Sequence, residues 1–258
     1  MLSIKNVKRL AEKKYRNEHG LFMVEGEKNI KELLNSDFII EGIFVTTPFL
    51  DSVIDLINAY DERIGTHIEL KEVREVDLVR GGTFVTNTTG IAVVRQKEEP
   101  TLDTVIEEAQ KNIVLMLDDV RDPGNLGTII RIADWYGVAH IVASSTTTDF
   151  YNPKVISATM GSFTRINVLY SPLEDIFMKA RELHIPVIIA TMEGTSTHES
   201  KLPQTGFLLM GSESHGVNSE LLVHTTHQVT IPRFGKAESL NVSVATGILL
   251  DTIRRNNS

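Results

Sequence analysis

Cysteine is absent from the 258 residues, which excludes disulfides, thiolate metal sites and cysteine nucleophiles. Any chemistry falls to hydroxyl, carboxylate, amide, imidazole and guanidinium groups. No run of eighteen or more apolar residues occurs, so no membrane-spanning helix is expected. The opening MLSIKNVKRLAEKKYRNEHG is basic and helical in pattern and lacks the apolar core of a signal peptide, which predicts a cytoplasmic protein. A G-x-G-x-x-G dinucleotide fingerprint is also missing, and this weighs against an oxidoreductase. Positive charge is in deficit: 26 Lys and Arg against 34 Asp and Glu leave a net charge of −8. That balance argues mildly against nucleic acid, because phosphate binding gains free energy when cations displace condensed counterions.

The cations that are present are not evenly spread. Lys5, Lys8, Arg9, Lys13, Lys14 and Arg16 crowd the start of the chain, opposed there only by Glu12. They form either a phosphate-binding face on an acidic whole or a solvated terminal helix. Over the first hundred residues, short β-like runs (LFMVEG, IIEGIFVT, GIAVVRQ) alternate with the helical patterns EKNIKELLNS and LDSVIDLINAY, which predicts a compact α/β unit. The polar stretch Gln96–Pro100 then suits a linker, and domains of 1–98 and 105–258 are expected.

Beyond the linker the strands are continuously apolar (NIVLMLDDV, HIVAS, IPVIIAT, GFLLMGSE, QVTIP), as parallel strands covered on both faces should be. Helical patterns, including GTIIRIADWYG and DIFMKARELH, separate them, so this half reads as an open parallel sheet with helices on both sides. Trp135 and Tyr136, at a helix end, are expected to pack in the core. His224 and His227 have no further ligands at metal spacing and are expected on the surface.

Ligands of such sheets bind beyond the carboxyl ends of the strands, and three segments fall there. Asp122–Arg131 follows a strand and opens a helix, whose free N–H groups suit an anion and whose Arg131 is expected about one turn in; an ordinary strand-to-helix turn is the alternative. Gly211–Gly216 sets a carboxylate, Glu213, between glycines at a strand end, or else is a turn before the next helix. Ile231–Gly247 interrupts a helix start with Ser239, Asn241 and Ser243, which either line a pocket or, in the case of Ser239, cap the helix.

In this order, N-x-G-x-x-x-R at Asn125–Arg131, G-x-E-x-x-G at Gly211–Gly216 and I-P-x-x-G-x-x-E-S-L-N-V-S at Ile231–Ser243 resemble the three motifs of the SpoU (TrmH-type) RNA ribose methyltransferases. The resemblance covers residues 112–254 and extends more loosely to FMVEGEKNIKELL, which looks like the family's accessory substrate-binding domain. It implies an α/β catalytic domain with a parallel sheet and a C-terminal trefoil knot of the SPOUT type, beside a small ribosomal-protein-like RNA-binding domain. It further implies a homodimer, S-adenosylmethionine as cofactor and RNA as substrate, with ribosomal RNA favoured over transfer RNA.

By position, the resemblance assigns cofactor contacts to Thr191, Gly211, Ile231 and Leu240, and the methyl acceptor to Arg131, Asn125, Glu213, Ser239 and Asn241. Phosphate contacts fall to Lys8, Arg9, Lys13, Lys14 and Arg16. Ile132 replaces a threonine common in the family and Ser214 a glycine; neither removes a proposed catalytic side chain. No metal is expected, and part of the dimer interface is expected on an apolar helix from Ser239 to Arg254. A non-catalytic ribosome-assembly protein on the same fold is the competing reading, disfavoured by retention of the motif side chains.

Overall fold

The computed structural model describes residues 3–211 and 223–255. The first part of the chain forms α1 (Ile4–Arg9), α2 (Lys13–His19), β1 (Leu21–Glu25), α3 (Glu27–Leu34), β2 (Ile40–Val45), α4 (Thr47–Ile64), β3 (Glu69–Glu72), α5 (Glu75–Gly81) and β4 (Gly90–Arg95). Then follow α6 (Leu102–Lys111), β5 (Ile113–Leu117), α7 (Pro123–Trp135), β6 (His140–Ala143), α8 (Pro153–Thr159), β7 (Asn167–Tyr170), α9 (Leu173–Glu182), β8 (Val187–Ser196), β9 (Gly206–Met210), β10 (His227–Thr230) and α10 (Val242–Arg255). No described helix is long and apolar enough to cross a membrane.

Two compact units result, and the first is discontinuous: it holds residues 1–98 together with 149–165, a segment expected from the sequence to lie with the second half. Its mixed sheet has the order β1-β4-β2-β3, antiparallel except for the β2–β3 pair. The added segment is anchored by aromatic packing. Phe22 meets Phe38, Tyr151 and Phe163 at centroid distances of 5.7, 4.6 and 6.1 Å. Both ends of the segment are tied by charge, Asp149 to Arg16 and Arg165 to Glu32. Gly161 allows the close approach to α3, since a Cβ there would lie 2.3 Å from Glu32 Cγ at a φ of +98°.

Arg16 is therefore not the phosphate ligand expected from the basic run. It is 1% exposed, and its guanidinium donates to the carbonyls of Leu10 (2.8 Å) and Ala11 (2.9 Å) as well as pairing with Asp149. A buried cation is tolerated when its donors are engaged in this way, and removing the partner strands the charge. The single basic helix implied by the pattern is also two helices, because the chain turns at Leu10–Glu12 and buries Leu10.

The second unit, residues 99–148 and 166–258, carries a six-stranded sheet of order β10-β8-β9-β5-β6-β7 in which every pair is parallel. Val114 and Met116 of β5, Val187 and Ile189 of β8, and Phe207 and Leu209 of β9 pack beneath α6 and α9. Their neighbours Leu115, Ile188 and Leu208, which point to the opposite face, are equally buried, so both faces are covered. Trp135, expected in the core, is 84% exposed: it ends the α7 face formed by Gly124, Thr128 and Arg131, opposite the buried Leu126, Ile129, Ile130 and Ala133.

Candidate functional site

The strand order reverses between β5 and β9. From β5 the chain moves outward through β6 and β7, then crosses to β8 and returns β9 beside β5. A crevice opens beyond the carboxyl ends at such a reversal. At the end of β5 the backbone amide of Asp118 donates to Met210 O of β9 at 2.9 Å, and Asp119 takes a left-handed φ of 60°. The turn is held by hydroxyls: Asp119 N donates to Ser144 Oγ (2.9 Å) and Val120 N to Thr147 Oγ1 (3.3 Å). Asp122 then caps α7, accepting from Asn125 N at 2.8 Å, with Pro123 in the first turn.

Asn125 Oδ1 accepts from Asn241 Nδ2 at 2.9 Å, which joins two motifs 116 residues apart. Asn241 Oδ1 in turn accepts from Ser243 N at 3.0 Å and from Ser243 Oγ. Asn241, rather than Ser239, thus caps the last helix, which begins at Val242; Ser239 is an exposed loop residue. At the far ends of the two helices, Arg254 Nε and Nη2 donate to Tyr136 O at 3.0 and 2.7 Å. α7 and α10 therefore lie side by side in the same direction, fastened at both ends.

Arg131 projects from the exposed face of α7 and makes no hydrogen bond to the described residues. Thr191 stands on β8, Gly211 just after β9 and Ile231 just after β10, and all three are half-buried. Thr191 Oγ1 is buried with no hydrogen-bond partner, an unmet demand on the strand adjacent to both β9 and β10. Leu240 is 48% exposed. Glu213 lies outside the described residues. Lys8, Arg9, Lys13 and Lys14 are exposed on the first two helices, in the other unit. Among the described residues no group of three His, Asp or Glu side chains is placed to hold a metal.

Two sequence-family models match the chain. Residues 112–251 match the SpoU rRNA Methylase family, and residues 2–79 match an MRM3-like substrate binding domain. The chain belongs to the SpoU rRNA methylase family. Among this family's members, the 23S rRNA (guanosine(2553)-2'-O)-methyltransferase RlmP of Bacillus subtilis is 32% identical over 97% of the chain and 95% of its own length. Two solved structures share the fold end to end. A TrmH-family protein from Porphyromonas gingivalis is 34% identical, with a TM-score of 0.83 and 99% of each chain covered. An AdoMet-bound rRNA methyltransferase from Sinorhizobium meliloti is 30% identical, with a TM-score of 0.81, covering 98% of this chain and 94% of its own.

The SpoU motifs explain Asn125, Arg131 and Asn241, but not the supports beneath them. Ser144 and Thr147 carry no such signal, because hydroxyls in the run Ser144–Thr148 read as generic loop residues. The one available signal was the position of that run directly after an apolar strand.

Proposed function

We propose that this chain transfers a methyl group from S-adenosylmethionine to a ribose 2′-hydroxyl of ribosomal RNA. The observation that carries the reading is the Asn125–Asn241 hydrogen bond, which brings the first and third SpoU motifs together at the carboxyl ends of the sheet. The cofactor assignment is supported by the placement of Thr191 within β8 and of Gly211 and Ile231 just after its two neighbouring strands, and by the unpaired hydroxyl of Thr191, which awaits a donor or acceptor. Leu240 would cover the cofactor from the loop before α10.

When bound, S-adenosylmethionine would supply an electrophilic methyl on a cationic sulfonium, whose sulfur leaves as a neutral thioether without need of a metal. The chain supplies orientation and charge. A guanidinium is always protonated, so Arg131 does not act as base; it stabilises the negative charge that develops on the attacking oxygen and holds the neighbouring phosphate. The hydroxyl proton departs to solvent as the O–C bond forms. Asn125 and Asn241, locked against each other, position the ribose together with Ser239, and Glu213 orients Arg131 or Asn125.

The exposed Trp135 and half-exposed Leu240 and Val244 on the α7 and α10 side support a homodimer with this region in its interface. The returning path of β9 between β8 and β5 is compatible with the trefoil knot of the family, and the mixed sheet of the first unit with a ribosomal-protein-like RNA-binding domain. A ribosomal RNA substrate supports the cytoplasm as the site of action.

The decisive experiment incubates the protein with S-adenosylmethionine carrying a labelled methyl group and with ribosomal and transfer RNA from cells lacking the protein, then maps alkali-resistant linkages in each. One labelled ribose is expected. Labelling of bases rather than ribose, or of transfer RNA alone, would overturn the reading.

A further inference from the structure

The first unit contains a cavity that no part of the methyl-transfer reading uses. Its volume is about 140 Å³, equivalent to roughly four or five waters at ~30 Å³ each, enough for one planar heterocycle but not a whole nucleotide. Val7, Leu10 and Val93 form an apolar floor. Tyr15 and His19 line the wall, their rings 4.0 Å apart, and the guanidinium of Arg9 lies 3.9 Å from the centroid of Tyr15. Asn6, Glu41 and Glu69 add polar groups to the lining, with one oxygen of Glu41 paired to Arg95 and the other open to a further donor. Tyr15 is 8% exposed, whereas His19 remains open to solvent and can present a ring face to a ligand.

We propose that this cavity is a base-binding pocket that takes one unpaired guanine of the RNA substrate. An apolar cleft with a few convergent polar groups is the usual form of a small-ligand site. Unstacked RNA bases are bound by aromatic stacking together with hydrogen bonds to their Watson–Crick edges. Here His19, backed by Tyr15 and Arg9, forms the stacking wall. The acidic acceptors in the lining are carboxylates, and guanine presents two adjacent N–H donors, N1–H and N2–H₂, to a carboxylate. Adenine and cytosine place a ring acceptor beside their amino group, and uracil flanks its single N–H with carbonyls, so each would set a lone pair against carboxylate oxygen. The Lys71 ammonium, 2.9 Å from Glu69, holds that carboxyl below the usual range and keeps it an acceptor.

The surroundings fit an RNA strand rather than a free metabolite. Lys5, Lys8, Lys13 and Lys14 are exposed on the two helices that supply Asn6, Val7, Tyr15 and His19, so phosphates on either side of an inserted base would meet cations. Those contacts carry no sequence information. The pocket would supply it.

The inference rests on the RNA-substrate reading, and the two can fail separately. The test measures binding of the intact protein, by fluorescence anisotropy at fixed salt, to single-stranded RNA heptamers of uridine whose central base is G, A, C or U. The guanine heptamer should bind about tenfold more tightly, within the range of a bidentate base contact. Glu41→Gln combined with Glu69→Gln should remove the preference while leaving uridine binding and circular dichroism unchanged, and His19→Ala should weaken the guanine heptamer most. Equal binding of all four heptamers, or a guanine preference that survives the double substitution, would overturn the pocket. Methyl transfer to ribosomal RNA without any base preference sinks the pocket alone; a preference without transfer sinks the catalytic reading alone.

Discussion

Two arginines, one in each unit, show how the same side chain takes opposite meanings. Arg16 is 1% exposed and its guanidinium is engaged by two carbonyls and a carboxylate, so its charge is used up inside the first unit. Arg131 is exposed on α7 and has no hydrogen bond to the described residues, and on the proposed mechanism its charge serves the substrate. A cation paired within the fold builds structure. On the proposed mechanism, an exposed one on a helix fastened at both ends acts on the substrate.

The largest effect is expected from removing the first unit's main segment. A chain beginning at residue 105 retains 149–165 but loses Phe22, Phe38, Glu32 and Arg16, against which that segment packs. Thermal unfolding followed by circular dichroism should lose its cooperative transition, with a hydrophobic dye binding the stranded Tyr151 and Phe163. A sharp transition close to that of the whole protein would show that the segment belongs with the second unit after all.

Next come the two arginines themselves. Arg16→Ala strands Asp149 and should cost about 3–5 kcal/mol in urea unfolding, the usual result of breaking a buried pair. Arg131→Ala should leave stability within about 0.5 kcal/mol while lowering the methyl-transfer rate by about 10²–10³. If Arg131→Ala lost as much stability as Arg16→Ala, or kept its rate, the contrast between the two would disappear.

The smallest effect is expected from the exposed cations. Replacing Lys8, Arg9, Lys13 and Lys14 with glutamine should weaken RNA binding and flatten its salt dependence by about one logarithmic unit per lost phosphate contact. An unchanged slope would remove the two helices from the RNA path.

Much of this architecture is written locally. β5 and β9 are legible because strands buried on both faces read as unbroken apolar runs, and α3 and α4 because apolar residues recur at helical spacing. β3 and β7 are not, being four-residue strands at sheet edges with half-exposed residues that leave no pattern. Arg16 was misjudged because its partner lies 133 residues away, and spacing within the basic run holds no trace of it. The site was legible only through its three motifs taken together. Asn125 and Asn241 are each ordinary in isolation, and what makes them a pair is a fold that brings distant segments to one edge of a sheet.

The 116 residues between Asn125 and Asn241 also have a meaning in time. A ribosome adding about 5–20 residues per second takes on the order of ten seconds to pass from one to the other. Throughout that interval the nascent chain carries Arg131 and the capped start of α7 but no partner amide. On the proposed mechanism the growing polypeptide is inert toward the ribosome that is making it, although that ribosome is built on the same class of RNA the finished protein modifies. The same mechanism makes a product truncated anywhere before Asn241 equally silent, whatever fraction of the sheet it had formed.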